Sequence, residues 1–289
     1  MRLLGTRYRL AAVLGTGSGS VVWRGYDELL GRQVAVKMLV PAGDEEFPAR
    51  IRQEAMAAAR ITHPNIAGVH DYGEAVEADG DRVPYIVLEL VEGPSLDQRL
   101  TEGPLPWPEA VRIGAQVAAA VLAAHEAGLV HRDINPANVL LAPGGAKVID
   151  FGICATIGEP ESAHTQPETP AFIAPERVEP DVLVHPAADV FALGVLLHQT
   201  VNGAPTGSGT VPLPPLTPDL PPPVAHLIER CLARRPQDRP SSLEVALALA
   251  QAAHTARWAA FTPPELPEPL PEPPSEPVAP AGPGDAGPP

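Results

Sequence analysis

Positive charge is scarce in this chain. Of its 20 basic side chains only Lys37 and Lys147 are lysines, set against 35 carboxylates, and the net charge is −15. Proteins that bind nucleic-acid phosphates concentrate Lys and Arg, so this balance argues against DNA or RNA as a ligand. Cysteine is just as rare. Cys154 and Cys231 make neither a metal-ligand spacing nor a disulfide framework and read as reduced thiols. Clean apolar runs are missing too. The two most apolar stretches, 111–124 and 187–201, carry Arg112 and Gln116, and Asp189 and His198, so they read as buried helices rather than membrane spans. The opening MRLLGTRYRL lacks the apolar core of a signal peptide. These absences leave a soluble, acidic, cytoplasmic chain, and its 289 residues suffice for one large two-lobed domain, or two small ones, with a full core.

Proline is in excess, most of all at the end. Residues 262–289 hold twelve prolines and five carboxylates with no Lys or Arg. Such a segment favours extended polyproline II and has nothing to bury, so it reads as a disordered linker or tail behind a domain spanning 1–261.

The chemistry is concentrated between 130 and 152. VHRDINPANVLL (130–141) sets Asp133 and Asn138 five residues apart, so one short loop can aim a carboxylate at a hydroxyl and an amide oxygen at a metal. Magnesium takes hard oxygen ligands of this kind. Asp150-Phe151-Gly152 follows twelve residues after Asn138 and adds a second metal-type carboxylate beside a flexible glycine.

Residues 6–40 read as three strands interrupted by Gly15-Thr16-Gly17-Ser18-Gly19-Ser20, a turn in which backbone N–H groups can approach phosphate without Cβ interference. Val34-Ala35-Val36-Lys37 places a lysine in an apolar strand, where it is costly without an anionic partner. Residues 45–60 have helical composition and offer Glu54 as that partner. An apolar strand over 84–90 leads into Glu92-Gly93, a composition suited to a hinge. A long Ala- and Val-rich helix over 107–127 ends at Gly128, and an irregular, proline-punctuated segment fills 150–176. A buried helix begins in 189–194, and 243–253 reads as a last amphipathic helix.

In order, the glycine-rich turn, VAVK, HRDINPAN, DFG, APE (174–176) and RPQDRP resemble the motif set of the protein kinases over residues 6 to about 258, and within it the bacterial Hanks-type serine/threonine enzymes. The resemblance implies an α+β, two-lobed fold: a small antiparallel β lobe with one main helix (about 1–90) and a larger, mostly helical lobe (about 91–261). It implies transfer of the γ-phosphoryl of ATP, with Mg²⁺, to Ser/Thr hydroxyls of protein substrates. No membrane segment and no nucleic acid enter that reading, and a homodimer is compatible with it.

The resemblance also assigns residues. Asp133 accepts the hydroxyl proton, Lys37 held by Glu54 fixes the phosphates, and Asn138 and Asp150 bind magnesium. Gly15, Gly17 and Gly19 cover the phosphates. Leu14, Val22, Ala35 and Leu140 sandwich adenine, Glu89 and Val91 meet it through backbone groups, and Leu88 controls the pocket behind it. Asp189 holds the catalytic loop, and Glu176 pairs with Arg239. A phosphate on Thr165, or on its rival Ser162, would pair with Arg132, whereas Thr169 resembles the threonine that contacts the catalytic aspartate.

Three positions depart from the pattern. Asn135 stands where these kinases carry a lysine on the γ-phosphate, Ser20 replaces the third glycine of the loop, and Glu168 stands where a glycine commonly precedes Thr169. The loss of charge at Asn135 keeps a pseudokinase, binding nucleotide with little or no transfer, as the alternative. A small-molecule phosphotransferase is a further option, which the Glu176–Arg239 docking pair disfavours.

Overall fold

The computed structural model describes residues 2–17, 19–39, 47–76, 82–150, 155–159, 170–179, 182–203 and 213–259. Ser162, Thr165, Thr169, Phe151, Gly152 and Cys154 lie outside them, as does the chain from 260 onward.

Six strands form one antiparallel sheet in the order β1-β2-β3-β4-β6-β5: Leu3–Leu4, Tyr8–Gly17, Ser20–Asp27, Arg32–Leu39, Arg82–Glu89 and Val69–Val76. Alternation sorts their side chains onto two faces. Tyr8, Leu10, Val34, Val36, Met38, Tyr85 and Val87 pack on one. Leu39 and Ile86 face the other way, onto Ile51 and Ala55 of α1 (Phe47–Ala58). At the sheet's end Arg7 bridges Asp27 and Asp71, and Tyr8 donates to Asp71 at 2.6 Å.

The second lobe is built on α3 (Trp107–Glu126), which packs on α4 (Ala187–Asn202) and α6 (Ser242–Ala259). Gly114 lets α3 approach α4: a Cβ there would meet Leu197 Cδ2 at 2.4 Å. The short α2 (Leu96–Leu100) opens with a capping box between Ser95 and Gln98. Two small antiparallel pairs frame the site, β7 (Leu129–Val130) with β10 (Ala155–Thr156) and β8 (Val139–Ala142) with β9 (Gly145–Val148). Prolines crowd the start of α5 (Pro222–Cys231), and proline suits the first turn of a helix, where its missing N–H has no partner to lose. Burial pushes the Cys231 thiol up to about 12, as expected of an inert core thiol. Among the described residues no helix is long and apolar enough to cross a membrane.

Candidate active site

Strand pairing assembles the first wall. Gly15 lies opposite Val22, Val22 opposite Lys37 and Lys37 opposite Ile86, so these positions form one row across four strands. The next row on the same face joins Ala35 to Leu88. The ladder is irregular between Val13 and Gly15, which places Leu14 at a bulge, where a side chain is re-aimed. Glu89 ends β6, and its carboxylate takes Lys147 at 2.8 Å and the Gly68 N–H at 3.3 Å, a tie between lobes that sequence reading missed. Val91 and Leu140 are part-buried, and the φ of +147° at Gly93 lets the chain pass against the Leu141 carbonyl. Gly17 ends β2, and Gly19, with φ +73°, opens the return into β3.

The second wall is the loop 131–138, and Asp189 is its anchor. This fully buried carboxylate accepts the N–H of His131 at 2.7 Å, that of Arg132 at 2.8 Å and a hydrogen bond with His125 Nε2 at 2.9 Å. Burial alone would push it upward, but those hydrogen bonds hold it below the usual carboxylate range. Arg132 thereby keeps a φ of +70°, a costly conformation for a non-glycine residue, and Asp150 has φ +67°. The two strained residues bracket the site. Arg177 Nη1 also donates to the Arg132 carbonyl at 2.6 Å, a contact no motif announced.

Within the loop Asp133 is held from both sides. Asn135 Nδ2 reaches Oδ1 and Asn138 Nδ2 reaches Oδ2, each at 2.8 Å. Desolvation raises the Asp133 pKa, with nearby Asp150 adding to the rise, against the pull of His131 and the two amides. The Ile149 N–H donates to the Asn138 carbonyl at 2.9 Å, which brings Asp150 beside the loop. Lys37, almost fully buried on its strand, pairs with Asp150. Lys37, Asp150, Asn138 and Asp133 therefore form one continuous set of neighbours.

Glu54 does not join it. The expected Lys37–Glu54 pair is absent: Lys37 gives its charge to Asp150, and Glu54 Oε2 is buried with no hydrogen-bond partner among the described residues. Burial pushes Glu54 up to about 7 despite Arg50, Arg132 and Lys37 nearby. Sequence spacing could place Glu54 on the helix facing Lys37, but not choose between two carboxylates for one ammonium.

Behind this site Glu176 and Arg239 meet as expected, in a bidentate pair at 2.6 and 2.7 Å. Arg239 spends its remaining donors on the carbonyls of Ala187, Ala233 and Arg234 and stacks over Phe191.

The donor set suits a magnesium ion. Asn138 turns its Nδ2 to Asp133, and its Oδ1 accepts no hydrogen bond from the described residues. Together with Asp150 this makes one carboxylate and one amide oxygen, the sparse oxygen set that magnesium completes with water and substrate phosphates. Among the described residues no cluster of three His, Cys, Asp or Glu competes for a metal.

Comparison with known proteins agrees with this geometry. A family model described as the protein kinase domain matches residues 8–255. Serine/threonine-protein kinase PknA of Mycobacterium tuberculosis is 41% identical over 256 residues, 82% of this chain and 58% of that protein. Serine/threonine-protein kinase PknB of Mycobacterium leprae is 38% identical over 217 residues, 73% of this chain and 35% of its own length. The chain thus spans little more than half of one relative and about a third of the other. The crystal structure of the Mycobacterium tuberculosis PknI kinase domain superposes with a TM-score of 0.70 at 32% identity, covering 86% of this chain and 98% of that one. The chain belongs to the protein kinase family and carries a catalytic domain of the bacterial serine/threonine, Hanks type.

Proposed function

We propose that the chain transfers the γ-phosphoryl of ATP, with Mg²⁺, to serine or threonine hydroxyls of proteins in the cytoplasm, its own activation segment included. One observation carries this reading: Lys37, Asp150, Asn138 and Asp133 are consecutive neighbours at the cleft between the lobes. Magnesium, when bound, would neutralise phosphate charge, and Asn138 Oδ1 and the Asp150 carboxylate are the groups to hold it. The chain's own residues do the positioning. Lys37 supplies a buried positive charge for the α- and β-phosphates once it leaves Asp150, and the row Gly15–Val22–Lys37 sets the phosphates along β2 and β3. Asp133 receives the acceptor hydroxyl's proton and orients that oxygen for in-line attack. Residues 1–261 would be the catalytic unit and 262–289 a tail.

The test is incorporation of labelled phosphate from Mg²⁺-ATP into the chain and into a generic Ser/Thr protein substrate, beside Lys37→Met and Asp133→Asn. Incorporation by the natural chain, with both variants down by about a hundredfold or more, is expected. Equal labelling in all three ends the reading. A nucleotide-dependent rise in melting temperature without labelling would make the chain a pseudokinase instead.

A further inference from the structure

We infer that Asn135 is a positioning residue that fixes the carboxylate of Asp133, and not a neutral stand-in for a cation at the transferred phosphate. Asn135 is 4% exposed. Its Oδ1 accepts the N–H groups of Ala137 at 2.9 Å and Asn138 at 3.2 Å, capping the single helical turn Pro136–Asn138. Its Nδ2 donates to Asp133 Oδ1 at 2.8 Å and to the Asp133 carbonyl at 3.3 Å. A carboxamide has two N–H donors and two acceptor lone pairs. All four are engaged inside the loop, so none remains for a phosphate oxygen.

The geometry makes a clamp. One asparagine amide holds each oxygen of Asp133, and the cap that Asn135 provides orders the turn from which Asn138 projects. Asn135 therefore sets both the angle of the carboxylate and the place of its second holder. A lysine at this position has three donors and no acceptor, so it cannot cap the turn. The chain gives up a charge beside the phosphates and gains a loop tied by neutral hydrogen bonds.

The inference rests on the phosphotransfer reading and deepens it, so the natural chain is the first arm of the experiment. Single-turnover phosphotransfer and the affinities for Mg²⁺-ATP and Mg²⁺-ADP are measured for the natural chain, Asn135→Ala, Asn135→Asp and Asn135→Lys, with a thermal melt of each. The expected result for Asn135→Ala is a rate lower by about a hundredfold, as for a reacting group moved from its working position. The preference for ATP over ADP should stay within about twofold, because the residue makes no contact that only the γ-phosphate would feel. Asn135→Asp keeps the capping oxygen, and so the fold, but puts a carboxylate where Asp133 had a donor. It should melt below the natural chain, because it buries a second carboxylate against Asp133, yet at a temperature where it is fully folded it should still lose the rate, which loss of the cap alone would not produce. Asn135→Lys should gain nothing.

A rise in rate or in ATP preference for Asn135→Lys overturns the inference, as does a loss of ATP preference in Asn135→Ala. An Asn135→Asp chain that transfers at the natural rate overturns it even if Asn135→Ala does not fold. If the natural chain itself transfers no phosphate, the phosphotransfer reading fails and this inference goes with it.

Discussion

Lys37 is paired with Asp150, across the cleft, while Glu54 on α1 stays without a hydrogen bond at its buried Oε2. One ammonium thus faces two carboxylates with different claims. Asp150 lies beside Asn138 and is the carboxylate suited to a metal. Glu54 is desolvated, and its pKa of about 7 shows how poorly the site tolerates its charge. The arrangement described is one of two pairings the same three residues can make, and catalysis as proposed needs the other, with Lys37 on Glu54 and Asp150 released. The balance between them is open to measurement through Glu54.

Replacing Glu54 by Gln should stabilise the chain at alkaline pH and not at acid pH. An unfolded glutamate ionises near 4.5, and Glu54 in this fold near 7. Between those values the native state holds a proton that the unfolded state has lost. Stability therefore falls as pH rises from about 4.5 through 7, and above 7 the charged, unpartnered carboxylate costs on the order of 3 kcal/mol. Gln removes that titration. Urea unfolding at pH 8.5 should favour Glu54→Gln over the natural chain by a substantial part of that amount, and the difference should shrink towards pH 5. Phosphotransfer should fall in the same variant, since Lys37 loses its alternative partner. A variant destabilised at pH 8.5 would mean that the Lys37–Glu54 pair dominates in solution.

How far the sequence could go is visible in these residues. Motif order located both walls of the cleft, the strands and the long helices, because apolar periodicity and glycine placement are local signals. The expected helix over 107–127 corresponds to Trp107–Glu126, with Gly128 just past its end at φ +79°. The expectation failed where a choice between partners had to be made in three dimensions. Lys37 had two candidate carboxylates, and spacing cannot weigh their desolvation. Asn135 was read by the lysine it replaces, whereas its amide is turned inward on Asp133. The ties Lys147–Glu89, His125–Asp189 and Arg177 to the Arg132 carbonyl join positions far apart in the chain, and no local pattern reports them.

Asp189→Asn is expected to loosen the catalytic loop at nearly constant volume. The amide keeps one acceptor oxygen and turns an NH₂ towards a second N–H donor, either that of His131 or that of Arg132. A buried donor facing a donor costs about 1–3 kcal/mol, and loss of the charge-assisted bonds adds to it, so a drop of about 3 kcal/mol is expected near neutral pH. The Asp189 pKa is held below its ordinary value, so its contribution is fully present above the unfolded pKa and disappears as pH falls through the native one. The gap between variant and natural chain should therefore narrow in acid. Arg132 would lose the anchor of its φ of +70°, and phosphotransfer should fall further than stability alone explains.

The Glu176–Arg239 pair is buried at both ends, and removing one partner should cost more than removing both. Arg239→Met leaves Glu176 charged and unpaired and should lose about 3–5 kcal/mol. Adding Glu176→Gln removes the stranded charge, and the double variant should recover part of that loss. Three backbone carbonyls, of Ala187, Ala233 and Arg234, stay without their donors in both. Chemical denaturation of the two single variants and the double closes the cycle. A coupling near zero would show that Arg239 acts through those carbonyls and Phe191 and not through Glu176.

Gly93→Ala tests whether the passage between lobes depends on backbone contact. At φ +147° an L side chain is strained, and a Cβ there would stand 2.2 Å from the Leu141 carbonyl oxygen and 2.8 Å from its carbon. Neither atom can step aside, because the Leu141 N–H is committed to the Pro94 carbonyl at 2.8 Å and Leu141 pairs with Ala146 in the β8–β9 ladder. The segment must move instead. That displacement should cost about 2–4 kcal/mol, combining backbone strain with overpacking. It also shifts Val91 and Glu89, the backbone groups proposed to meet adenine, so affinity for ATP and for ADP should weaken by the same factor. Isothermal titration with both nucleotides reads this directly. Weaker binding of ATP alone would place the damage at the phosphates instead of at the adenine end of the cleft.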